Sequence, residues 1–419
     1  MRMKLTRSSQ LLLVVAASLG LASLLTACQQ ATQTLTVDFV YVACNEAAGS
    51  SQSGEIDVFE INSESGRMRA IPTSPFPSEG RDPVAEAVSA DNLNLFVANE
   101  DDHDIVQFGI GTDGKLYAND TVNTPGIFPL AIATSPSNLF VVDLYQPLPI
   151  CTPADPCSGS IAVFPLVPPS STTHCTSTIC MAAPATNPAV DRPYWPLNVA
   201  SAPKDVIVPT AVNVLANGNF VYVTAYDSTT ATPVGYVFAF SVGSGGALTA
   251  VPGSPFAVGS QPSALASDSK SAHLYVADAR GADLLGFSVG ANGALTAMSG
   301  SPFPAGNQPS AITIDPTYPY LYVANAQDAT VTAYSISSTG ALSVIGDYAT
   351  GQQPVAIGVD PSTNHFLYVA NFLGNTVSGF ELSTTNGTLL DSQFSPFETN
   401  ANPTAVAAIP HNGTGAGIQ

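Results

Sequence analysis

One apolar phrase recurs along this chain, and the recurrence constrains the fold more than any other feature. It reads LYVANA from Leu321, LYVANF from Leu367, LYVADA from Leu274 and LFVANE from Leu95. A chain that restates a phrase at near-regular intervals is built of stacked units, because each copy must fit neighbours that are themselves copies. Counting its aromatic anchor gives seven copies: Tyr41, Phe96, Phe140, Tyr222, Tyr275, Tyr322 and Tyr368.

A second apolar element follows each anchor, with aromatics at Phe59, Phe108, Phe164, Phe240, Phe287, Tyr334 and Phe380. The offset between the two aromatics is 12 residues in four copies, 18 in two and 24 in one. Two strands are therefore kept while the loop between them varies. Both elements alternate side chains and favour aromatic and β-branched residues, as half-buried strands do. Six copies then show a residue-plus-glycine turn of the hairpin kind, such as Asn292-Gly293 and Thr339-Gly340. A further strand follows (ALTAV, ALTAM), often running into Ser-Pro-Phe, and another precedes each anchor (PSALASD, PSAITID, PVAIGVD). Four strands, seven times over, predict an all-β, seven-bladed β-propeller of four-stranded antiparallel blades spanning residues 38–410. The chain enters at the anchor of blade 1, and ANPTAVAAIP near the C-terminus reads as an innermost strand with no anchor after it. That segment is expected to close the ring by joining blade 1, which leaves no open sheet edge.

LYVAN-type anchors with G-A-L-T and S-P-F signatures resemble the propeller lactonase family and its YVTN-repeat relatives. The likeness covers roughly residues 38–410 and is carried by structural positions. It implies the propeller fold. The family includes cytosolic 6-phosphogluconolactonases and many exported proteins, and its lactonases are associated with Arg, His and Glu around the top of the channel. No residue of this chain is matched to those positions one by one.

The first residues read as an export signal. Arg2, Lys4 and Arg7 precede an apolar run from Leu11 to Leu25, which is short for a bilayer span. Leu25-Thr26-Ala27-Cys28 resembles a bacterial lipobox, so residues 1–27 are expected to be a lipoprotein signal and Cys28 the lipidated first residue. Residues 28–37 would then be a tether of at most ~35 Å, and 411–419 a tail. This predicts a lipid-anchored protein of the bacterial cell envelope, its bottom face toward the membrane and its top face away. Removing the leader takes three of eleven cations and leaves 31 acidic residues, a surface that repels nucleic acid.

Export also permits disulfides. Cys151 and Cys157 fall in the loop between the second and third strands of blade 3. Cys175 and Cys180 fall in a Pro/Ser/Thr-rich insertion, about 168–193, where the turn glycine is missing. These loop types leave opposite faces, so the expected pairs are Cys151–Cys157 and Cys175–Cys180, with Cys44 a buried thiol.

Catalytic candidates are few. Gly286-Phe287-Ser288-Val289-Gly290 matches a nucleophile-elbow pattern but lies within a strand rather than at a strand-to-helix turn. The blade 2 loop NEDDHD carries Glu100, Asp101, Asp102, His103 and Asp104, which could supply an acid/base pair; Asp101, Asp102 and Asp104 are also candidate ligands of a divalent cation, without the spacing of a dedicated calcium loop. His103, Arg81 and Arg280 are catalytic candidates by location on the top face. Gln261, Gln308, Gln353 and Asn402 open inner strands at the channel mouth and could line a neutral, sugar-like pocket. The Asn or Asp that ends each anchor reads as a turn cap. On this basis the sequence favours a monomeric binding or scaffold module, its top face holding an unidentified small molecule or protein. The alternative is a lactone hydrolase. Neither reading calls for an organic cofactor.

Overall fold

The computed structural model describes residues 37–45, 53–62, 64–147, 157–170, 175–360 and 365–410. The expected leader, the tether up to residue 36 with Cys28, the tail and Cys151 lie outside them. Seven antiparallel sheets follow one another along the chain. Blade 5 shows the common plan: inner strand Pro262–Ser267, anchor strand His273–Asp278, third strand Asp283–Val289, then an outer strand in two pieces, Leu295–Ala297 and Phe303–Pro304. No described helix is long and apolar enough to cross a membrane.

Closure is as expected. Asn402–Ile409 pairs antiparallel with Val37–Asn45, setting Val406 against Val42 and Ala407 against Tyr41. Thr404 Oγ1 then donates to the carbonyl of Pro83 in the next blade at 2.7 Å. The core lies between blades, not within them. Each of the seven seams has its own apolar cluster, including blade 7 against blade 1, where Phe366 and Tyr368 meet Val40 and Val42.

The repeated tyrosine has a specific task. Tyr275 donates its buried hydroxyl to the carbonyl of Gly340 in the next blade at 2.7 Å. The same tie joins Tyr222 to Gly293, Tyr322 to Gly387, Tyr41 to Gly114 and, across the closure, Tyr368 to Gly66. The glycine is required twice over. Gly340 has φ +84°, and a Cβ there would lie 2.7 Å from the His273 ring. Each buried hydrogen bond contributes ~0.5–1.5 kcal/mol net, so the LYVAN phrase and the hairpin glycine are two halves of one interblade bond.

The Ser-Pro-Phe phrase has its own explanation. In blades 1, 4, 5 and 7 the serine hydroxyl accepts a third-strand N–H, as from Gly286 to Ser301 at 3.0 Å, and the Ser–Pro bond is cis. The outer strand therefore breaks, and the phenylalanine re-pairs further along. Blades 2 and 6 lack the phrase and carry unbroken outer strands, Leu116–Asn123 and Leu342–Ala349.

Blade 3 departs from expectation in an informative way. The stretch read as an insertion holds the first piece of the blade's outer strand, Cys180–Met181, and the second piece, Trp195–Pro196, follows just after it. At the seam between blades 2 and 3 the tyrosine tie is missing on both sides, since the blade 2 anchor is Phe96 and blade 3 has no hairpin glycine. The Cys175–Cys180 disulfide loop takes its place. Gln107, fully buried, donates to the carbonyl of Ile179 at 2.6 Å, and Asn94 donates to Thr178 Oγ1 at 3.1 Å. Cys157 is also disulfide-bonded. Cys44 is free and buried, as expected.

Candidate functional site

Two loop types meet at the top of the ring. One precedes each inner strand, and the other joins the second strand to the third. Blades 5, 6 and 7 write the first as Gly259-Ser260-Gln261-Pro262, Gly306-Asn307-Gln308-Pro309 and Gly351-Gln352-Gln353-Pro354. Blade 2 writes Gly80-Arg81-Asp82-Pro83. Blades 5, 6 and 7 make the second as four-residue turns starting at Ala279, Ala326 and Phe372, whereas blade 2 has Glu100-Asp101-Asp102-His103. Backbone is shared and side chains are not. His103 has φ +56°, as Ala282, Ala329 and Asn375 have φ +54°, +52° and +50°. In a repeat, residues common to all copies serve the fold, and function has to come from the exceptions. Among the four blades that share this backbone, the charged exceptions gather in blade 2.

The structure places two of the three catalytic candidates, Arg81 and His103, on adjoining loops of blade 2. Arg81 donates through Nε to Asp102 Oδ1 at 2.8 Å and through its backbone N–H to Oδ2 at 2.8 Å, and a terminal nitrogen reaches the carbonyl of Asp101 at 3.0 Å. Burial works against the charge on Asp102, but the Arg81 bonds outweigh it and hold the carboxyl below its usual range. His103 follows Asp102 directly. Its Nδ1 lies 2.9 Å from the carbonyl of Glu100 and 3.2 Å from the N–H of Phe128, so either tautomer finds a partner. Nε2 makes no hydrogen bond among the described residues. Its ring packs edge-on against Phe128, with centroids 4.6 Å apart, and Phe128 packs in turn on Tyr145. Arg280 is elsewhere, in blade 5, where it donates to the carbonyl of Ala231 at 3.2 Å.

Within the NEDDHD loop, sequence reasoning did not separate Glu100 from its acidic neighbours. It occupies the turn position that is alanine in blades 5 and 6. Burial, then the nearby charges of Asp82 and Asp101, push its carboxyl up to about 7. A carboxyl there exchanges its proton at neutral pH, which is what a general acid or base requires. A second missed residue is Glu86, on the inner strand Pro83–Val88. It pairs with Val97, and the residues facing the corresponding valine in the other blades are Ile132, Val212, Leu265, Ile312, Ile357 and Val406. Both its oxygens are shut from solvent without a well-formed hydrogen bond, although the Ala407 backbone is close; burial raises its pKa well above the usual value. Aligning the inner strands exposes Glu86, and aligning the turns after the anchor strands exposes Glu100.

Asp104 Oδ1 accepts from Asn99 at 2.9 Å, and Asp102 is taken by Arg81. Among the described residues no three His, Cys, Asp or Glu are grouped to hold a metal ion. The anchor-ending residues act as caps. Asp278 accepts from the N–H groups of Ser260 and Gln261, and Asn371 donates to Thr376 and Ser378. The side chains of Gln261, Gln308 and Gln353 make no hydrogen bond among the described residues. The Asn402 amide is taken by the Phe372 carbonyl at 2.7 Å and by Asn375 at 2.9 Å.

The family described as Lactonase, 7-bladed beta-propeller, matches the chain over residues 220–343 and 291–407, from blade 4 to the closing strand. No curated protein matches it in sequence. Among solved structures it is similar to a candidate 6-phosphogluconolactonase of Bacteroides fragilis, with 20% identity over 90% of this chain and 99% of that one, at a TM-score of 0.67. It is also similar to the periplasmic gluconolactonase of Pseudomonas aeruginosa, with 17% identity over 89% and 99%, again at 0.67. At these identities the structures speak for the fold. Together with the repeat and the family match over residues 220–407, they give this chain the seven-bladed β-propeller fold of the lactonase type.

Proposed function

We propose that this propeller opens an uncharged lactone at the top of blade 2. The observation that supports the reading is the concentration of repeat-breaking side chains there: Arg81, Asp82, Glu100 and His103 on two adjoining loops. Hydrolysis of a cyclic ester needs water deprotonated as it attacks, and the charge growing on the carbonyl oxygen stabilised. Glu100, near neutrality in pKa, is assigned the first task, with His103 Nε2 free to relay a proton to the departing alkoxide. The Arg81 nitrogen not held by Asp102 is assigned the second. Asp82, Glu100 and Asp101 surround this place with negative charge, and its one arginine is already paired, so a phosphorylated lactone is disfavoured. The free amides of Gln261, Gln308 and Gln353 suit a hydroxylated substrate.

The test is ring opening of D-glucono-1,5-lactone, followed by acid release, using protein without residues 1–27. We expect turnover that rises with pH through about 7, because the base must lose its proton, and that falls at least tenfold in His103→Ala and Glu100→Gln. A second reading, ligand binding without turnover, is favoured by one detail. Asn307 and Asp328 make the same loop clasp in blade 6 that Arg81 and Asp102 make here. Wild-type protein that binds the lactone without opening it would decide for that reading. The lipobox-like Leu25–Cys28 supports a place at the cell envelope, and Cys28→Ala should release the protein from washed membranes.

A further inference from the structure

A cleft of about 340 Å³ opens on the flank of the ring between blades 5 and 6, away from blade 2. Its walls are Pro304–Gly306 from blade 5, and Asp328, Thr330, Thr332, Tyr334, Val344 and Asp347 from blade 6. Blade 6 has no Ser-Pro-Phe break. Its outer strand runs on unbroken, bulged opposite Ala333 and Tyr334, with Asp347 paired to Thr332.

The polar groups are ordered from behind. Asn325, fully buried, donates to Thr332 Oγ1 at 2.9 Å and to Thr330 Oγ1 at 3.1 Å. Thr332 passes its own proton to Asp347 Oδ1 at 2.7 Å, which fixes that carboxylate and leaves Oδ2 to accept. Asp328 has both oxygens engaged by Asn307, at 2.6 and 2.9 Å. Tyr334 donates to the carbonyl of Pro304 at 2.8 Å. No cation lines the cleft, so an anionic ligand would meet only repulsion. One free carboxylate oxygen and hydroxyls are too few for calcium, which takes about six to eight oxygens. Donor-bearing neutral molecules remain. Ala305, Pro304 and half-exposed Val344 supply an apolar wall beside the acceptors, and the volume lies at the small end of the ~300–1,000 Å³ typical of ligand pockets.

We propose that this cleft binds a neutral sugar unit, its hydroxyls donating to Asp347 and its C–H face against Val344 and Ala305. The inference is independent of the lactone reading, because no residue is shared.

The experiment is saturation-transfer NMR on full-length blades 1–7 without the leader, with methyl glucoside, methyl galactoside, N-acetylglucosamine and cellobiose each at millimolar concentration. At least one should give a saturable signal. Asp347→Asn should weaken it at least tenfold. Val344→Trp, an exposed position that needs no refolding of the core, should block it. His103→Ala should leave it unchanged. The proposal is overturned if all four sugars are silent, if the signal survives both cleft substitutions, or if it is lost in His103→Ala. It is also overturned if calcium binds the cleft in place of sugar.

Discussion

Replacing Glu86 by valine should make this protein more stable, and the gain should grow with pH. The position faces the anchor valine in every blade, and six of the seven residues there are aliphatic. Glu86 puts two solvent-excluded oxygens in that place without a good partner. Leaving a buried polar group unsatisfied costs ~1–3 kcal/mol, whereas an aliphatic of similar shape costs nothing of that kind and adds its own burial. The pH dependence follows from linkage. Burial raises the folded-state pKa above the unfolded value, so the folded protein holds a proton that the unfolded chain gives up. Below the unfolded value of ~4.3 Glu86 is neutral in both states and costs only the burial of its unpaired carboxyl. Above it, stability falls by ~1.4 kcal/mol per pH unit until the folded pKa is passed. Thermal midpoints of wild type and Glu86→Val measured from pH 4 to 8 should differ by the equivalent of ~1–3 kcal/mol at the acid end, the variant higher, and separate further as pH rises. Equal midpoints across the range would refute the account of an unsatisfied acid. A variant that melts lower throughout would show that Glu86 has a stabilising partner.

Tyr275→Phe deletes one interblade hydroxyl and leaves the Gly340 carbonyl buried, so it should cost ~1–2 kcal/mol by denaturant melt; Phe96→Tyr, which has no glycine carbonyl to meet, should gain nothing. Cys175→Ser with Cys180→Ser should loosen the strap on blade 2 at a cost of ~2 kcal/mol, the low end expected for a short loop. Hydrogen exchange in that variant should rise first around Asn94 and Gln107. Ending the chain before Ala401 removes the strand paired with Val37–Asn45, and should lower the thermal midpoint by far more than any single substitution above.

The fold was legible because the repeat spells it out. The seven anchors, the turn glycines and the closing ANPTAVAAIP each carry a backbone requirement that a sequence displays directly. What could not be read was the partner of each signature. Tyr275 and Gly340 are 65 residues apart, and only the ring brings them together. Blade 3 misled for the same reason. Its outer strand is two short pairs, Cys180–Met181 and Trp195–Pro196, embedded in a stretch whose composition says loop. At the candidate site, Arg81 and His103 were visible because such residues are scarce in this chain. Glu100 and Glu86 were hidden among 31 acidic residues, since they stand out only when the blades are aligned position by position.

The central claim is that the shared residues hold the ring and the exceptions in blade 2 perform the chemistry. The measurement that tests it most directly pairs lactone turnover with thermal midpoint for Tyr275→Phe, His103→Ala and Glu100→Gln in the leaderless protein. The account predicts a lowered midpoint and unchanged kcat/KM for Tyr275→Phe. It predicts an unchanged midpoint for His103→Ala, one no lower than wild type for Glu100→Gln, and at least tenfold lower kcat/KM for both, with the rise through about pH 7 abolished in Glu100→Gln. Turnover that survives both blade 2 substitutions in folded protein would contradict it.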